Sequence, residues 1–490
     1  MFREDTSSED TDSTVQSNNR TMARRDLDII VYGASGFTGL EVCLHIAKLR
    51  ATVWRQRKIK WAIAGRNADK LSEVVKRCKL EIELAGEDSV VANALPCETI
   101  IADVGNTKAL VACFSRATLC LNCTGPYRFY GQAVVGACIK AKTHYMDLCG
   151  EPEFYEHVML LFDKAARDAG IFLVHAAAWD SVPADIGVLL AARRARELKL
   201  VAGAVQVFHK FSDCSAAHVT TFEAAVHGFG TRKNLSSLRK SVARMHGNST
   251  LRENVHRLRL SRKHGVKGKE FYWEPLLGAY AVRFPGSDSS VVRMSQEWLS
   301  GEGKRPDLCP VPYVYFLVES SIWLVITLFL GAIFSFLANF AFGRRLLLAF
   351  PGVFSLGMFT KAGPSKEQLA AGSFTTVVSA FCRSPNSEGS YDKDAPVTQG
   401  AVVVTIRGPE PGYVATPQLY VAMARTLLED ILPSASRVPG SHSGKTAGCC
   451  MPACLVGAGQ ALDGLVSKIK ESGISISIEA KPARMRLVKG

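Results

Sequence analysis

Three glycines at fixed spacing, Gly33, Gly36 and Gly39, stand in the run Gly33-Ala34-Ser35-Gly36-Phe37-Thr38-Gly39. The chemistry open to such a loop is holding a phosphate. Glycine permits the tight turn, lets the backbone approach a pyrophosphate, and lets the next helix pack closely. The helix start then offers unpaired N–H groups and the positive end of its dipole to the anion. Ser35, Phe37 and Thr38 fill the loop and belong to the same expected contact set. A glycine triplet alone is a weak signal, because an ordinary strand-to-helix turn can also be glycine-rich. Here the β-branched run Asp28-Ile29-Ile30-Val31-Tyr32 precedes it and an apolar-periodic stretch to about Leu49 follows it. That context makes a dinucleotide the expected ligand.

The end of the second strand of such a fold tells the two common dinucleotides apart. An acid there receives the ribose 2′-hydroxyl, whereas an arginine accommodates a 2′-phosphate. The chain reads Ala64-Gly65-Arg66-Asn67 at that point, with no acid. Arg66 is therefore the candidate 2′-phosphate clamp, a guanidinium fork matching phosphate geometry, and NADPH is the expected cofactor.

The elements that must position these residues follow from periodicity. Strands are expected at 59–64, 99–102, 118–123, 144–148 and 171–177, with helices at 68–78, 132–140 and 152–168. Alternating strands and helices predict a Rossmann-type, doubly wound parallel sheet of the α/β class. After about Asp185 the alternation fades, and a second α+β domain is expected. The division is a disordered tail over 1–25, a dinucleotide-binding domain over 26–185 and the second domain over 186–490.

Composition fits a folded intracellular chain of 490 residues, with 47% hydrophobic and 21% charged residues. The net charge of +14 is local: residues 231–270 hold 12 Lys or Arg against Glu253 and Glu270. Such a run reads either as a solvated, partly disordered insertion or as a contact for anionic lipid or another polyanion. It lacks interleaved aromatics, so nucleic acid is not expected as a partner. Of 14 cysteines, eight fall before residue 150 inside apolar patterns, which implies a reducing compartment. Cys449, Cys450 and Cys454 near His442 lack a second ligand pair, and no metal is expected.

Longer motifs carry a family resemblance. Cys123-Thr124-Gly125-Pro126-Tyr127-Arg128-Phe129-Tyr130-Gly131 is followed by His144-Tyr145-Met146-Asp147-Leu148-Cys149-Gly150-Glu151. Further on stand Asp180-Ser181-Val182-Pro183-Ala184-Asp185, Phe284-Pro285-Gly286-Ser287-Asp288 with Arg293, Gly363-Pro364 with Gln368, and Gly408-Pro409-Glu410-Pro411-Gly412-Tyr413-Val414-Ala415-Thr416-Pro417. Together they resemble the saccharopine dehydrogenase-like oxidoreductases, nearer to the animal proteins and the bacterial trans-acting enoyl reductases of lipid biosynthesis than to true saccharopine dehydrogenases. The resemblance implies a reductase fold. Two departures stand out, Ala178-Trp179 where the family has Gly-Phe and an insertion around 439–448.

Gly125 and Pro126 follow the fourth strand, on the side where ligands of open α/β sheets bind, and join the expected cofactor contacts. A rigid turn there would hold Tyr127 towards the nicotinamide, to donate a proton or merely to pack. Tyr127 and Asp147 are the candidate catalytic groups, while His144, Asp147, Glu151 and Asp180 also admit a structural reading.

Between Glu319 and Arg344 the chain carries no charge, and 320–342 read as one apolar helix long enough to cross a bilayer. A single span would put two parts of one catalytic unit on opposite sides of a membrane. Monotopic insertion, or attachment to a lipid droplet at its cytosolic face, is therefore favoured over a span and over a buried or dimer-forming helix. The expected function is an NADPH-dependent oxidoreductase of a lipid-like or hydrophobic substrate at such a surface. The alternative is a catalytically idle nucleotide-binding scaffold attached to lipid or protein partners; self-association into a homo-oligomer is left open.

Overall fold

A computed structural model of the chain describes residues 25–54, 59–84, 86, 94–212, 216–245, 268–301, 312–384, 400–432 and 447–481. The expected tail except Arg25, most of the basic run beyond 245 and most of the 439–448 insertion lie outside these residues.

The first sheet is parallel throughout, in the order β15-β6-β5-β4-β1-β2-β3. Its strands are β1 (Leu27–Tyr32), β2 (Trp61–Gly65), β3 (Glu98–Ile101), β4 (Ala117–Asn122), β5 (His144–Asp147), β6 (Phe172–Val174) and β15 (Gly448–Cys450). β1, β2, β4 and β5 are buried along their whole length, as strands covered by helices on both faces must be. The covering helices are α1 (Phe37–Ala51), α2 (Ala68–Leu84), α3 (Thr107–Phe114), α4 (Tyr127–Ala141) and α5 (Pro152–Ala169). The doubly wound expectation holds, and the strand order reverses between β1 and β4, where such sheets open a crevice.

The second sheet is mixed, in the order β16-β14-β13-β7-β11-β10-β9. Its long central strands are β7 (Val201–Phe211), β13 (Ser373–Arg383) and β14 (Gly400–Pro409); β9 (Phe271–Glu274), β10 (Ala279–Arg283), β11 (Tyr313–Val318) and β16 (Ser475–Lys481) complete it. Helix α6 (Ser181–Glu197) packs on it: a Cβ at Gly187 would clash with Val378 of β13. The expected boundary at Asp185 thus falls inside a helix that serves the second sheet. The first sheet also takes its seventh strand from 448–450, a stretch assigned by sequence to the second domain. Cys449 and Cys450 are buried strand residues there.

A third layer is small. Strand β8 (Ala217–His218) pairs with β12 (Phe359–Thr360). Between them in the chain come α7 (Val219–Gly230), α8 (Arg232–Met245), α9 (Asp288–Gly301), α10 (Ser321–Ala338) and α11 (Ala341–Ala349). The apolar stretch expected as one helix over 320–342 is divided: α10 ends at Ala338 and Phe340 caps α11, and the buried residues of α10 are Leu324 and Ala338.

Candidate functional site

The phosphate loop leaves β1 and enters α1 as the sequence predicts, and its three glycines divide the labour. Gly33 has φ +81°, and a Cβ there would also clash with Thr124 Oγ1. At Gly39 a Cβ would clash with the Gly33 carbonyl. Both are glycine so that the loop can fold. Gly36 has φ −74° and ψ 163°, which any residue can adopt, and a Cβ would sit 3.3 Å from the Gly33 oxygen. Glycine at 36 keeps an exposed approach open rather than relieving the backbone.

Anion chemistry at this point is unmet within the chain. Gly36 caps α1 without a side-chain hydrogen bond, and no acid lies in the first turn. Opposite the loop, Thr124 Oγ1 is buried with no hydrogen-bond partner among the described residues, while the Thr124 N–H donates to Asn122 Oδ1 at 3.0 Å. A glycine cradle, an uncapped helix start and an orphaned hydroxyl fit the phosphates and ribose of a dinucleotide. Ser35 is exposed at the tip. Phe37 and Thr38 are half-buried, and the Phe37 ring turns away from the cradle. It stacks on His218 at 5.3 Å and meets Tyr413 edge-on at 4.6 Å. Gly363, at φ +71°, leaves room for the same ring. Glu410 accepts hydrogen bonds from the Gly412, Tyr413 and Val414 N–H groups, which fixes Tyr413. The Gly363-Pro364 and Gly408–Pro417 motifs therefore clamp the second domain onto the phosphate loop.

Arg66 follows β2, is exposed, and makes no ion pair with any described residue. It stands on the side of β1 where the adenosine half of a dinucleotide lies.

Gly125 and Pro126, joined by a cis peptide, form the turn after β4. Thr220, in the first turn of α7, is 3.9 Å from where a Gly125 Cβ would be. Tyr127 is buried at the start of α4. Its hydroxyl donates to the Asn122 carbonyl at 2.8 Å, and burial pushes its pKa well above the usual phenol value. The group is spent holding the turn against β4. Asp147, the second candidate, is fully buried. Its Oδ2 accepts from the Tyr145 hydroxyl at 2.9 Å and meets His175 Nδ1 at 2.7 Å, and its Oδ1 accepts from the Cys149 and Ala176 N–H groups. Four partners and complete burial make this carboxyl the pin between β5 and the loop after β6.

Glu151 and His144 are also structural. Glu151 accepts from the Tyr127 N–H at 2.9 Å and pairs with Arg128 at 2.5 Å, which opposes the rise that burial imposes on its pKa. His144 Nδ1 accepts from the Phe172 N–H at 3.0 Å, tying β5 to β6. Sequence reasoning missed three participants: Thr124, His218 and Tyr413. Thr124 and Tyr413 had a signal, inside the Cys123–Gly131 and Gly408–Pro417 motifs; His218 had none.

Residues 29–174 match the family model described as the saccharopine dehydrogenase NADP binding domain. A human saccharopine dehydrogenase-like oxidoreductase is 33% identical over 461 residues, covering 93% of this chain and 98% of that one. A Caenorhabditis elegans lipid droplet localized protein is 30% identical over 414 residues, covering 82% of this chain and 89% of that one. Among solved structures, apo saccharopine dehydrogenase (L-Glu forming) from Saccharomyces cerevisiae shares the fold, at a TM-score of 0.50 and 10% identity over 93% of this chain and 99% of that one. The cradle, the matching NADP-binding model and near full-length similarity agree: the chain binds NADP(H) through its first domain and belongs to the saccharopine dehydrogenase-like oxidoreductases.

Proposed function

We propose that the chain is an NADPH-dependent reductase of a lipid-like substrate, docked monotopically on a membrane or lipid-droplet surface from the cytosolic side. In this reading Gly33, Ser35, Gly36, Phe37, Thr38 and Gly39 hold the pyrophosphate mainly through backbone N–H groups. Arg66 pairs with the 2′-phosphate, and Gly125, Pro126 and Thr124 border the nicotinamide half. NADPH would supply hydride to the substrate, while these residues bind and orient it.

One observation carries the reading. Helix α7 has the cofactor turn on one side and the apolar helices on the other. Towards the turn, Thr220 faces Gly125, His227 meets Phe129 at 5.3 Å, and Thr231 bonds Glu153 and lies 3.3 Å from Arg128. Towards the apolar side, Phe222 and Phe229 meet Phe334 of α10 at 5.5 and 5.1 Å, in a core shared with Val226, Ala338 and Leu347. A lipid surface and the dinucleotide are thus one helix apart.

The outer side of α10 and α11 supplies the surface. Ile322, Trp323, Val325, Phe329, Phe336 and Phe342 are all exposed, Phe342 at 76%. Each large apolar side chain gains about 1.5–3 kcal/mol on burial, so six left in water forfeit a sum comparable with a domain's net stability. Both flanks belong to one body: β11 before α10 pairs with β7, and β12 after α11 pairs with β8. The chain therefore returns to the side it left, which supports insertion without a span. The C. elegans relative's name, lipid droplet localized protein, agrees.

Flotation of the full chain with phosphatidylcholine vesicles tests this. Co-flotation that survives high salt and is reversed by detergent is expected; a chain that stays at the bottom of the gradient refutes lipid docking. NADPH binding without turnover of enoyl, imine or carbonyl lipids would favour the scaffold reading.

A further inference from the structure

The loop after β6 carries a cluster that the cofactor site does not use. Asp180 precedes α6, His209 lies on β7 and Asp288 opens α9, with ligand-type atoms of all three within 4.8 Å of one another. His209 Nε2 is 2.7 Å from Asp288 Oδ2, and its Nδ1 is 2.9 Å from Thr376 Oγ1. Ser287 Oγ donates to Asp180 Oδ2 at 3.4 Å. Asp288 is fully buried, yet its Oδ1, like Asp180 Oδ1, receives no donor. Carboxylate oxygens of the two residues lie within 4.8 Å of each other. Two buried carboxyls that close do not both ionise, so one of them holds a proton.

The position matters as much as the chemistry. β2 and β3 lie on one side of β1 and β4 to β6 on the other. With Arg66 on the adenosine side, the nicotinamide half crosses towards β4, β5 and β6. Gly150, just past β5, would place a Cβ 4.0 Å from Ser287 Oγ, so the cluster adjoins that end of the sheet. Asp180 is half-buried while His209 and Asp288 are fully buried, so Asp180 is the most exposed member of the cluster, although its Oδ1 is itself buried.

We propose that Asp180 and Asp288 share one proton at neutral pH and that Asp180 gives it to the substrate during reduction. The proposal rests on the reductase reading. A bound NADPH would supply hydride to one atom of a C=C, C=N or C=O bond of the substrate, and the π electron pair would move to the other atom. That atom takes the proton as the Asp180 O–H bond breaks, and water restores the proton to the pair. Electrostatics agree with the geometry. Burial, with the Asp180 hydrogen bond opposing it and the Asp185 charge adding to it, pushes Asp288 up to about 7; burial and the neighbouring Asp288 also hold Asp180 well above the usual carboxylate range. Burial holds His209 down to about 4, so the imidazole stays neutral and acts as a positioning group.

Infrared spectroscopy of the full chain, with and without NADPH, reads this directly. The expected result is the C=O stretch of a poorly solvated protonated carboxyl at pH 7, shifted when NADPH binds. It should be lost in Asp288→Asn and in Asp180→Asn, with NADPH affinity by calorimetry changed by no more than about twofold. Absence of that band from the parent at pH 7, its survival in both variants, or its indifference to bound NADPH would overturn the proposal. So would one equivalent of divalent metal in the purified parent that Asp288→Asn loses, which would make the cluster a metal centre. If the parent binds no NADPH, the reductase reading fails instead, and the titration of the band in the parent still decides whether the proton is shared.

Discussion

The phosphate loop and the α10–α11 region stand on opposite sides of α7, and each leaves a physical demand unmet, of opposite kinds. At the loop, polar groups lack partners: an uncapped helix start and the orphaned Thr124 hydroxyl. At α10 and α11, apolar groups lack cover, with Ile322 and Phe342 more than 70% exposed. Between them the polar groups of Tyr127, Asp147 and Glu151 are spent on internal bonds. Tyr127, Asp147 and Glu151, which look reactive in sequence, are satisfied, whereas Asp180 keeps an unmet oxygen, and the two unmet regions on either side of α7 are where ligands are to be sought.

The largest effect should come from converting one kind of demand into the other. Glutamate at Ile322, Phe329 and Phe342 together leaves the α7-facing residues Phe334, Leu337 and Ala338 untouched. Charged side chains at the depth of lipid cost on the order of 2–3 kcal/mol each. Vesicle flotation should therefore fall by more than about a hundredfold, since 1.4 kcal/mol is a factor of ten. NADPH affinity should stay unchanged. Loss of both properties would show that the two sides of α7 are not separable. These point changes are sharper than excision of residues 320–342, which would also strip Phe222 and Val226 of their packing partners.

A second break targets the loop. Gly36→Val should weaken NADPH binding by about 3 kcal/mol, roughly two orders of magnitude, because the side chain fills the phosphate approach. The thermal midpoint should barely move, as φ at 36 suits any residue. Gly39→Val should instead unfold the first domain. Calorimetry and thermal denaturation of the two variants separate ligand space from backbone space; equal destabilisation would erase the distinction.

Arg66→Ala probes the same region more gently. One charge-assisted contact contributes about 1.5–3 kcal/mol, so NADPH affinity should fall roughly ten- to hundredfold. NADH affinity should hold. Equal losses for both cofactors would remove Arg66 from the 2′-phosphate.

The strands of the first sheet were legible because buried parallel strands read as short β-branched runs, as in Ile29-Ile30-Val31. β15 was not: Gly448-Cys449-Cys450 is three residues long and pairs with β6 from far along the chain. The cofactor cradle was legible because phosphate binding uses the backbone, and backbone demands appear as glycines. Proton chemistry was not, because it depends on pairings no spacing encodes. Tyr127 curls back on a carbonyl five residues upstream, and His209 meets Asp288 across 79 residues.

The smallest expected effect tests that last point. Tyr127→Phe removes one hydroxyl and leaves the ring, which packs on Phe154 with centroids 5.6 Å apart. The Asn122 carbonyl loses this donor and keeps only a long contact from the Tyr420 hydroxyl at 3.5 Å. Stability should drop by about 1–2 kcal/mol, the cost of under-satisfying a buried acceptor. NADPH affinity should move less than about twofold, well under 1 kcal/mol. A proton donor behaves otherwise: its phenylalanine variant keeps its stability and loses turnover, since general acids contribute about 10²–10⁴-fold to rate. Urea denaturation measured beside NADPH oxidation in the presence of vesicle-borne enoyl, imine and carbonyl lipids separates the cases. A stable Tyr127→Phe chain with abolished oxidation would return Tyr127 to the chemistry and break the contrast between satisfied and unmet groups.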